Sequence, residues 1–355
     1  MSKIKIIASN KCWIEDIAKR QLEDISSLNG VLKVVGLPDL HAGKIPVGLA
    51  VETRDIIYPH IIGNDIGCGM TLFNTGILKK KFKKDRWIKS LGKIKDLSDI
   101  EITNRYEEES PILNLGTIGS GNHFVEFQCV NEVYNKEEFE KLRFSEDDIM
   151  MLVHCGSRNY GETILNKFYN KDGIEVESEK ARDYMENHDK ALIWAERNRE
   201  IISKKIMQSI GTSGNLEKIL SINHNFIEKR EDKFIHRKGA VSSESGAVII
   251  PGSRGSLSYI VMPTENTEIS LYSLSHGAGR KWSRSICKSR LKNKYNKDTI
   301  KQTKFKSHIL CNDINLLFQE APEAYKNIEQ IIESLIEYKL IQVVATMKPL
   351  ITYKG

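Results

Sequence analysis

The sequence reads NDIGCGMTLFN from residue 64 to residue 74, a Gly-rich polar turn followed at once by an apolar segment. Asp65 and Cys68 are three residues apart in this turn, and glycines at 67 and 69 let it be tight enough to aim both side chains at one point. The segment 70–74 has the short apolar pattern of a β-strand. Because a lone buried cysteine is usually only a small apolar residue, the interpretation of Cys68 depends on its companions.

Four further polar motifs lie beside predicted strands in the same way. They are GNHFVE at 121–126, HCGSR at 154–158, NHN at 223–225 and HGAGR at 276–280. Loops at strand ends, held by a rigid scaffold, are where catalytic groups collect. Taken singly, each histidine is more often a structural residue, but jointly the motifs favour a metal site.

The candidate ligands are one carboxylate, one thiol and three imidazoles, the set that a borderline divalent ion such as Mn²⁺ or Zn²⁺ accepts. These residues are Asp65, Cys68, His123, His154 and His224. A fourth imidazole, that of His276, is not assigned as a ligand and is the candidate catalytic group.

Strand patterns dominate the motif regions, and helical patterns occur elsewhere. Short β-branched or apolar segments predict strands at 31–35, 47–51, 70–74, 124–130, 150–153, 247–250 and 258–262. Near-helical spacing of apolar residues predicts helices over 14–24, 177–210 and 324–337. No internal repeat or linker-like stretch marks a boundary. We therefore expect one composite α+β domain over residues 1–355.

Composition permits a sizeable core, since the chain has 355 residues and 40% hydrophobic content. No stretch approaches the roughly 18 uninterrupted apolar residues of a membrane span, and the first residues lack a signal-peptide core. The six cysteines contain no CxxC pair and suit a reducing compartment. We expect a cytoplasmic protein that makes no membrane contact.

Net charge is modest at +6, but its distribution is uneven. The segment 280–306 holds eleven lysines and arginines against the single acid Asp298, and it begins beside His276. A second basic run, KKKFKKDRWIK at 79–89, mixes cations with rings that can stack on bases. Either run is compatible with a solvated face, but the first adjoins the predicted chemistry, which favours a polyanionic partner.

Taken together, the motifs resemble those of the RtcB family, the GTP- and Mn²⁺-dependent RNA ligases that join 3′-phosphate or 2′,3′-cyclic phosphate ends to 5′-hydroxyl ends. The resemblance covers almost the whole chain. Besides the five motifs above, it includes GLPDLHAG at 36–43, HRKGA at 236–240, IPGS at 250–253, SY at 258–259, APEAY at 321–325 and KG at 354–355. The fold it implies is a composite in which β-sheets form the metal and GTP cleft and helices surround them.

The resemblance implies that His276 attacks the α-phosphate of GTP and becomes a guanylyl-histidine. A neutral imidazole is a competent nucleophile near pH 7. Arg280 and Arg284 can neutralise phosphate charge in the transition state.

By the same resemblance, two Mn²⁺ ions are bound and Cys68 is a ligand of both. The first ion takes Asp65, Cys68 and His123, and the second takes Cys68, His154 and His224. The same ligands accept Zn²⁺ at least as well as Mn²⁺.

The resemblance also places a set of residues around GTP: Asn122, Glu126, Ser253, Ser258, His276, Tyr325 and Lys354. Arg158, together with Asn122, is implied to hold an RNA phosphate, with a surface arginine as the alternative. Because Lys354 stands so near the end of the sequence given, a tag or truncation there is expected to damage nucleotide binding. His41 and His236 are expected to be structural and not ligands.

The chain is shorter than typical members between His154 and His224. This compactness resembles the release-factor-H-coupled bacterial branch, whose implied substrates are damaged tRNA or rRNA fragments and whose implied partner is a release-factor-like protein. Two alternatives remain open. One is a metal-dependent cyclic phosphodiesterase or phosphatase that does not guanylylate His276, and the other is a non-catalytic RNA-binding protein on the same fold.

Overall fold

The computed structural model describes residues 3–101, 115–212, 215–296 and 298–355, and it confirms the predicted α+β class. Its strands are β1 (Ile4–Ile6), β2 (Val31–His41), β3 (Val47–Arg54), β4 (Ile56–Ile57), β5 (Gly69–Leu78), β6 (Phe124–Val133), β7 (Asp148–Cys155), β8 (Ile174–Glu175), β9 (Glu217–Asn223), β10 (Asn225–Arg230), β11 (Lys233–Lys238), β12 (Ala240–Ser242), β13 (Val248–Pro251), β14 (Ser258–Pro263), β15 (Ser273–Ser275), β16 (His308–Leu310) and β17 (Ile341–Tyr353). Its α-helices are α1 (Asp16–Ser26), α2 (Pro59–Ile62), α3 (Lys84–Leu91), α4 (Lys136–Lys141), α5 (Asn159–Phe168), α6 (Glu179–Ser209), α7 (Arg284–Leu291), α8 (Ile314–Gln319) and α9 (Ile328–Glu337).

The larger sheet has eight strands, in the order β13-β14-β17-β6-β7-β5-β9, with β16 parallel to the end of β17. Strand β7 is buried along its whole length, because both faces of the sheet are covered. Alternate side chains of a strand point to opposite faces. Accordingly, Met151 and Val153 pack with Ile202 of α6, while Met150 and Leu152 join the core on the other face.

The second sheet has five strands in the order β1-β2-β3-β11-β10. Leu37 of β2 and Ile235 of β11 belong to the same apolar core as Met150 and Leu152 of the larger sheet. Helix α1 covers the opposite face, where Leu22 packs with the strand residues of another apolar cluster. The main core therefore lies between the two sheets.

The motifs meet because five strand ends coincide at one edge of the larger sheet. Strands β5 and β6 begin there, and β7, β9 and β17 end there. Residue Gly69 is paired with both Cys155 and Asn223. On the other side of β7, His154 is paired with Phe124. Residues that precede β5 and β6, or end β7, β9 and β17, must therefore lie close together.

All seven predicted strands are present, and the helices predicted over 14–24 and 177–210 form with ends displaced by at most two residues. The third predicted helix starts later than expected, at Ile328. Residues Pro322–Ala324 form a separate 3₁₀ turn, and Asn327 caps α9 by accepting a hydrogen bond from the backbone of Glu329. The sequence patterns do not predict β17, although it lies inside the larger sheet.

One interpretation of the basic run at 79–89 is wrong. The ring of Trp87 is buried, lying 4.9 Å from the Phe82 ring and 4.8 Å from the Phe127 ring between centroids. Trp87 is therefore a core residue and cannot stack on bases. Among the described ranges, no helix is long and apolar enough to span a bilayer.

Candidate active site

The turn that carries Asp65 and Cys68 is fixed to the loop between β9 and β10 by two backbone hydrogen bonds. Gly67 N–H donates to Asn225 O at 2.8 Å, and His224 N–H donates to Cys68 O at 2.8 Å. The turn also packs against the end of β7. A Cβ added at Gly156 would lie only 2.3 Å from Asp65 Oδ1, so only glycine allows this close approach.

The five predicted ligands are brought together as two groups of three. Asp65, Cys68 and His123 form one group, and Cys68, His154 and His224 form the other. The ligand atoms within each group lie within 4.8 Å of one another. Both groups can hold a metal ion, and the thiol of Cys68 belongs to both.

Cys68 Sγ lies close to ligand atoms of both groups. Cys68 Sγ is 3.3 Å from His123 Nε2 and 3.4 Å from His154 Nε2. His123 Nε2 is also 3.0 Å from Asp65 Oδ2. These atoms are too far apart for covalent bonds and close enough to share a cation.

Hydrogen bonds orient the imidazoles for such a role. His123 Nδ1 lies 3.0 Å from the carbonyl oxygen of Ile118, to which it donates, so Nε2 faces Asp65 and Cys68. This is how metal-binding histidines are usually oriented. His224 Nδ1 is buried and has no hydrogen-bond partner in the described part of the chain. A buried nitrogen without a partner is costly, and a bound cation would satisfy it.

Burial controls the protonation of the groups. It lowers the pKa of His154 and of His224 well below the usual range, so both rings are neutral, the form that binds metals. Burial and the nearby carboxylate of Asp65 raise the pKa of the Cys68 thiol. Burial alone would raise the pKa of Asp65, but its contacts with His123 lower it overall. A metal ion must therefore displace the thiol proton when it binds.

His276 lies beside these groups but outside both. Its ring centroid is 4.7 Å from that of His224. Its Nδ1 lies 2.6 Å from Oδ2 of Asp39, a fully buried carboxylate that also accepts from the His276 backbone N–H at 3.3 Å. With Nδ1–H donated to Asp39, the lone pair of the ring is on Nε2. The arrangement can present a neutral, oriented nucleophile.

Sequence reasoning missed Asp39, which lies in the PDLH motif. It contacts His276 across 237 residues of sequence. Gly279 makes this approach possible, since its φ is +67° and a Cβ there would lie 2.2 Å from Asp39 O. The two histidines that the sequence predicts to be structural have protein partners: His41 bonds to Asp39 O at 2.8 Å, and His236 accepts from Tyr58 N–H at 2.9 Å.

The two predicted arginines converge on Glu320, a buried carboxylate that sequence reasoning also missed. Arg280 Nη1 is 3.1 Å and Arg284 Nε is 3.3 Å from Glu320 Oε1, and the hydroxyl of Tyr325 donates to the same carboxylate. The other nitrogens of Arg280 bond to the carbonyl oxygens of Trp282 and Gln319. Arg280 is thus held by protein groups, whereas the half-exposed Arg284 is freer to meet a ligand.

A single cleft of about 350 Å³ connects the histidines to the predicted nucleotide residues. Residues from the prediction that line it include Asn122, Glu126, Ser253, Tyr325 and Lys354. Ser258 lies behind the wall, where its hydroxyl accepts from Gln128 at 2.9 Å.

Glu126 is buried at one end of the cleft and accepts hydrogen bonds from Thr352 at 2.5 Å and Gln128 at 2.7 Å. Burial raises the pKa of this carboxyl group. Lys354 Nζ donates to His123 O at 3.0 Å, which links this end of the cleft to the first ligand group.

Two cations in the cleft were not singled out from the sequence. Lys238, from the HRKGA motif, lines the cleft near the carboxylate of Asp65 and the thiol of Cys68. Arg254, which follows Ser253, has two buried nitrogens, Nε and Nη1, without a partner among the described residues. Such donors favour an anionic or carbonyl-bearing ligand.

Arg158 lies apart from this cleft. Its backbone N–H donates to Asp65 Oδ1 at 3.1 Å, but its guanidinium rests on Gly119, where an added Cβ would lie 1.8 Å from it. It lines a second cleft together with Tyr160 and Trp194. The structure therefore places Arg158 against the first ligand group and not beside His276.

Two ligand groups that share a thiol, next to a histidine held by a buried carboxylate, define an enzyme whose cleft can hold metal ions. Comparison with known proteins gives the family. The family model described as "tRNA-splicing ligase RtcB" matches residues 21–95 and 85–355. The chain belongs to the RtcB family.

Similarity to individual members extends over nearly the full length. The chain is 40% identical to RNA-splicing ligase RtcB2 of Escherichia coli (strain ATCC 25922), covering 98% of this chain and 95% of that protein. It is 26% identical to RNA-splicing ligase RtcB of Escherichia coli (strain K12), covering 96% and 95%. It is 24% identical to tRNA-splicing ligase RtcB of Archaeoglobus fulgidus, covering 96% and 92%.

Proposed function

We propose that the protein is an RNA ligase that uses GTP and Mn²⁺ to join RNA 3′-phosphate or 2′,3′-cyclic phosphate ends to 5′-hydroxyl ends. The observation that carries the proposal is the position of His276. Its Nδ1 is occupied by Asp39, and its ring lies beside one of two ligand groups that share Cys68. A nucleophile next to cation sites is the arrangement that nucleotidyl transfer requires.

The ligand groups fit two ions. Asp65, Cys68 and His123 hold one Mn²⁺, and Cys68, His154 and His224 hold the other. The unpartnered Nδ1 of His224 and the thiol shared by both groups support this assignment. When bound, the ions supply Lewis-acid stabilisation of charge on phosphate oxygens.

The nucleotide occupies the other end of the cleft. Glu126 accepts from the Watson–Crick edge of guanine, and Tyr325 packs against the nucleotide. Lys354 reaches a carbonyl oxygen of the base. Asn122 and Ser253 contribute polar contacts to the pocket, and Ser258 supports its wall through Gln128. Arg254 adds two donors that have no partner among the described residues.

In the first step His276 Nε2 attacks the α-phosphorus of GTP. The Nε2–P bond forms, the bond to the bridging oxygen breaks, and pyrophosphate leaves. Asp39 stabilises the positive charge that develops on the ring, as a buried carboxylate partner does for a catalytic histidine. Arg284 faces the phosphates, while Arg280 positions Glu320 and Tyr325. The GMP group then passes to the RNA 3′-phosphate, with Arg158 as an RNA phosphate contact.

The deciding experiment is incubation of the purified protein with Mn²⁺ and α-labelled GTP, followed by addition of RNA with the matching ends. A ligase becomes covalently labelled and then seals the RNA. A cyclic phosphodiesterase processes the RNA end but carries no label. A non-catalytic RNA-binding protein does neither, and either of these outcomes would overturn the proposal.

The chain is more similar to RtcB2 than to RtcB of Escherichia coli, which supports its assignment to the compact, release-factor-H-coupled branch. We infer repair of tRNA or rRNA fragments, with a release-factor-like protein as functional partner. The six cysteines are unpaired, which accords with the cytoplasm.

Asp39→Asn is expected to slow guanylylation by about 100-fold or more, because asparagine cannot stabilise the charged ring. The rate of labelling by GTP measures the effect, with metal content unchanged. The control is Asp189→Asn, which alters another carboxylate paired with a histidine: His188 Nδ1 lies 2.8 Å from Asp189 Oδ1. Equal rates for Asp39→Asn and the parent protein would remove Asp39 from this role.

Lys354→Ala is expected to weaken GTP use by tenfold or more, since a hydrogen bond from a charged group contributes roughly 1.5–3 kcal/mol. Metal loading should stay intact. A titration of labelling against GTP concentration gives the shift, and Lys348→Ala, on β17 but outside the cleft, is the control. Unchanged GTP dependence of Lys354→Ala would place this lysine outside the nucleotide pocket.

A further inference from the structure

Six lysines from three separate segments lie on one face beside α3, β16 and β17. We call them the lysine cluster: Lys79, Lys84, Lys301, Lys304, Lys306 and Lys348. Two of the segments belong to the two basic runs of the sequence, and the contacting residues Lys84 and Lys306 are 222 residues apart. The fold therefore joins two charge runs that the sequence presents as independent.

Contacts between these segments establish that the cluster is continuous. The ammonium group of Lys84 donates to the carbonyl oxygen of Lys306. Lys304 and Lys348 both lie over the ring of Phe305, at 5.1 Å and 5.8 Å from its centroid. Further links run through two titratable groups.

The charges of Lys79 and Lys348 both act on the thiol of Cys129. His308 in β16 likewise lies within the fields of Lys84 and Lys301, and Asp85 is the acidic group near it. Cys129, His308 and Asp85 therefore lie near members of the cluster.

The cluster is not neutralised within the protein. Ion pairs link lysines to carboxylates elsewhere in the described ranges, as for Lys141, Lys190 and Lys218. None of the ion pairs formed by the described residues includes a member of the cluster. Like charges that are held close together and form no ion pairs repel one another, and a polyanion relieves that repulsion.

The position of the cluster relates it to the cleft. Lys348 and Lys354 are on or directly after β17, six residues apart, which at about 3.3 Å per residue corresponds to about 20 Å. Arg284, which lines the cleft, belongs to the same basic run as Lys301, Lys304 and Lys306. Phe305 adds a half-buried ring among the cations, a combination typical of surfaces that hold single-stranded nucleic acid.

We propose that the lysine cluster binds the phosphate backbone of the RNA substrate, several nucleotides from the end that reacts. This rests on the proposed function for the presence of RNA in the cleft. The contact is independent of base sequence, because ammonium groups recognise phosphates and not base edges. It gives the enzyme a preference for RNA long enough to reach from the cleft to the cluster.

The test is a triple variant, Lys304→Gln, Lys306→Gln and Lys348→Gln, which spares Lys79 and Lys84 because their ammonium groups bond to backbone carbonyls. Each lost phosphate contact reduces the slope of log affinity against log salt concentration by about 0.7 for a single strand. The slope should therefore fall by about 2. Joining of long RNA should show a KM raised tenfold or more, while RNA ends of two or three nucleotides are joined at the parent rate.

The matched control removes three exposed lysines elsewhere, with the variants Lys171→Gln, Lys180→Gln and Lys229→Gln. This control has the same net charge as the cluster variant and should retain the parent salt slope. An unchanged slope in the cluster variant, or an equal change in the control, would overturn the proposal.

Labelling by α-labelled GTP without RNA separates this proposal from the function on which it rests. Normal labelling of the cluster variant with a reduced salt slope supports both. Normal labelling with an unchanged salt slope refutes the RNA-binding role of the cluster and leaves the proposed function intact. Absence of labelling in the parent protein refutes the proposed function, while RNA binding that depends on the cluster would still stand.

Discussion

Replacing Cys68 with alanine is expected to remove both metal ions from the protein at once. The thiol is the one side chain common to the two ligand groups, so each group retains only two ligands. Loss of an outer partner of a ligand already costs roughly 10- to 100-fold in metal affinity or activity, and loss of a direct ligand of both ions should cost more. Metal analysis of the purified variant should fall from two equivalents of Mn²⁺ toward none, with no guanylylation.

Cys155→Ala is the matched control. Cys155 is a neighbouring buried cysteine whose Sγ donates to Ile118 O at 3.2 Å, and burial raises its pKa to about 12. It belongs to neither ligand group. Its removal should lower the free energy of unfolding by about 1 kcal/mol while both ions stay bound. Equal metal loss in the two cysteine variants would contradict the shared-ligand assignment.

Replacing His276 with alanine is expected to abolish guanylylation while both Mn²⁺ ions remain bound. In the proposed mechanism, Nε2 of His276 is the atom to which GMP is transferred, and the ring lies outside both ligand groups. Metal analysis and labelling by α-labelled GTP are the two measurements. His154→Ala and His224→Ala should give the opposite order, in which metal is lost first and activity as a consequence.

The His276 variant also separates the steps of the reaction. It should still seal RNA whose 3′ end is already guanylylated, because that step needs the 5′-hydroxyl and the ligand groups but no new phosphoramidate. Failure to seal this activated end, with metal content and fold intact, would mean that His276 acts in a later step as well. Persistent labelling of the variant would show that another residue is the nucleophile.

The sequence predicts that the residues of the two ligand groups lie close together, because these residues flank apolar strands, and the structure shows that proximity. Cys68, His154 and His224 each stand at a strand end, and pairing of those strands brings them together. Asp39 could not be found in this way. Its partner is 237 residues away and follows a strand of a different sheet, so no local pattern relates them.

The strand β17 illustrates a second limit. Its burial changes irregularly along its length, and its register with β6 shifts at Pro349, where proline cannot donate a hydrogen bond. A period-two pattern is therefore interrupted. Trp87 shows the opposite case. Its place among the seven cations of the run 79–89 suggests a surface that stacks on bases, yet its ring is buried against Phe127.

The partner of His276 and the thiol shared by the ligand groups come from different sheets of the molecule. His276 is held by Asp39 from the five-stranded sheet, whereas Cys68 and His154 lie at the edge of the eight-stranded sheet. The apolar core that contains Leu37 and Met150 lies between the two sheets, so its packing contributes to the distance between Asp39, which holds His276, and Cys68. Slight loosening of this core on warming, or by substitutions remote from the cleft, would misalign His276 with the ligand groups while each sheet stayed folded. Catalysis should therefore have a narrower thermal range than the fold itself.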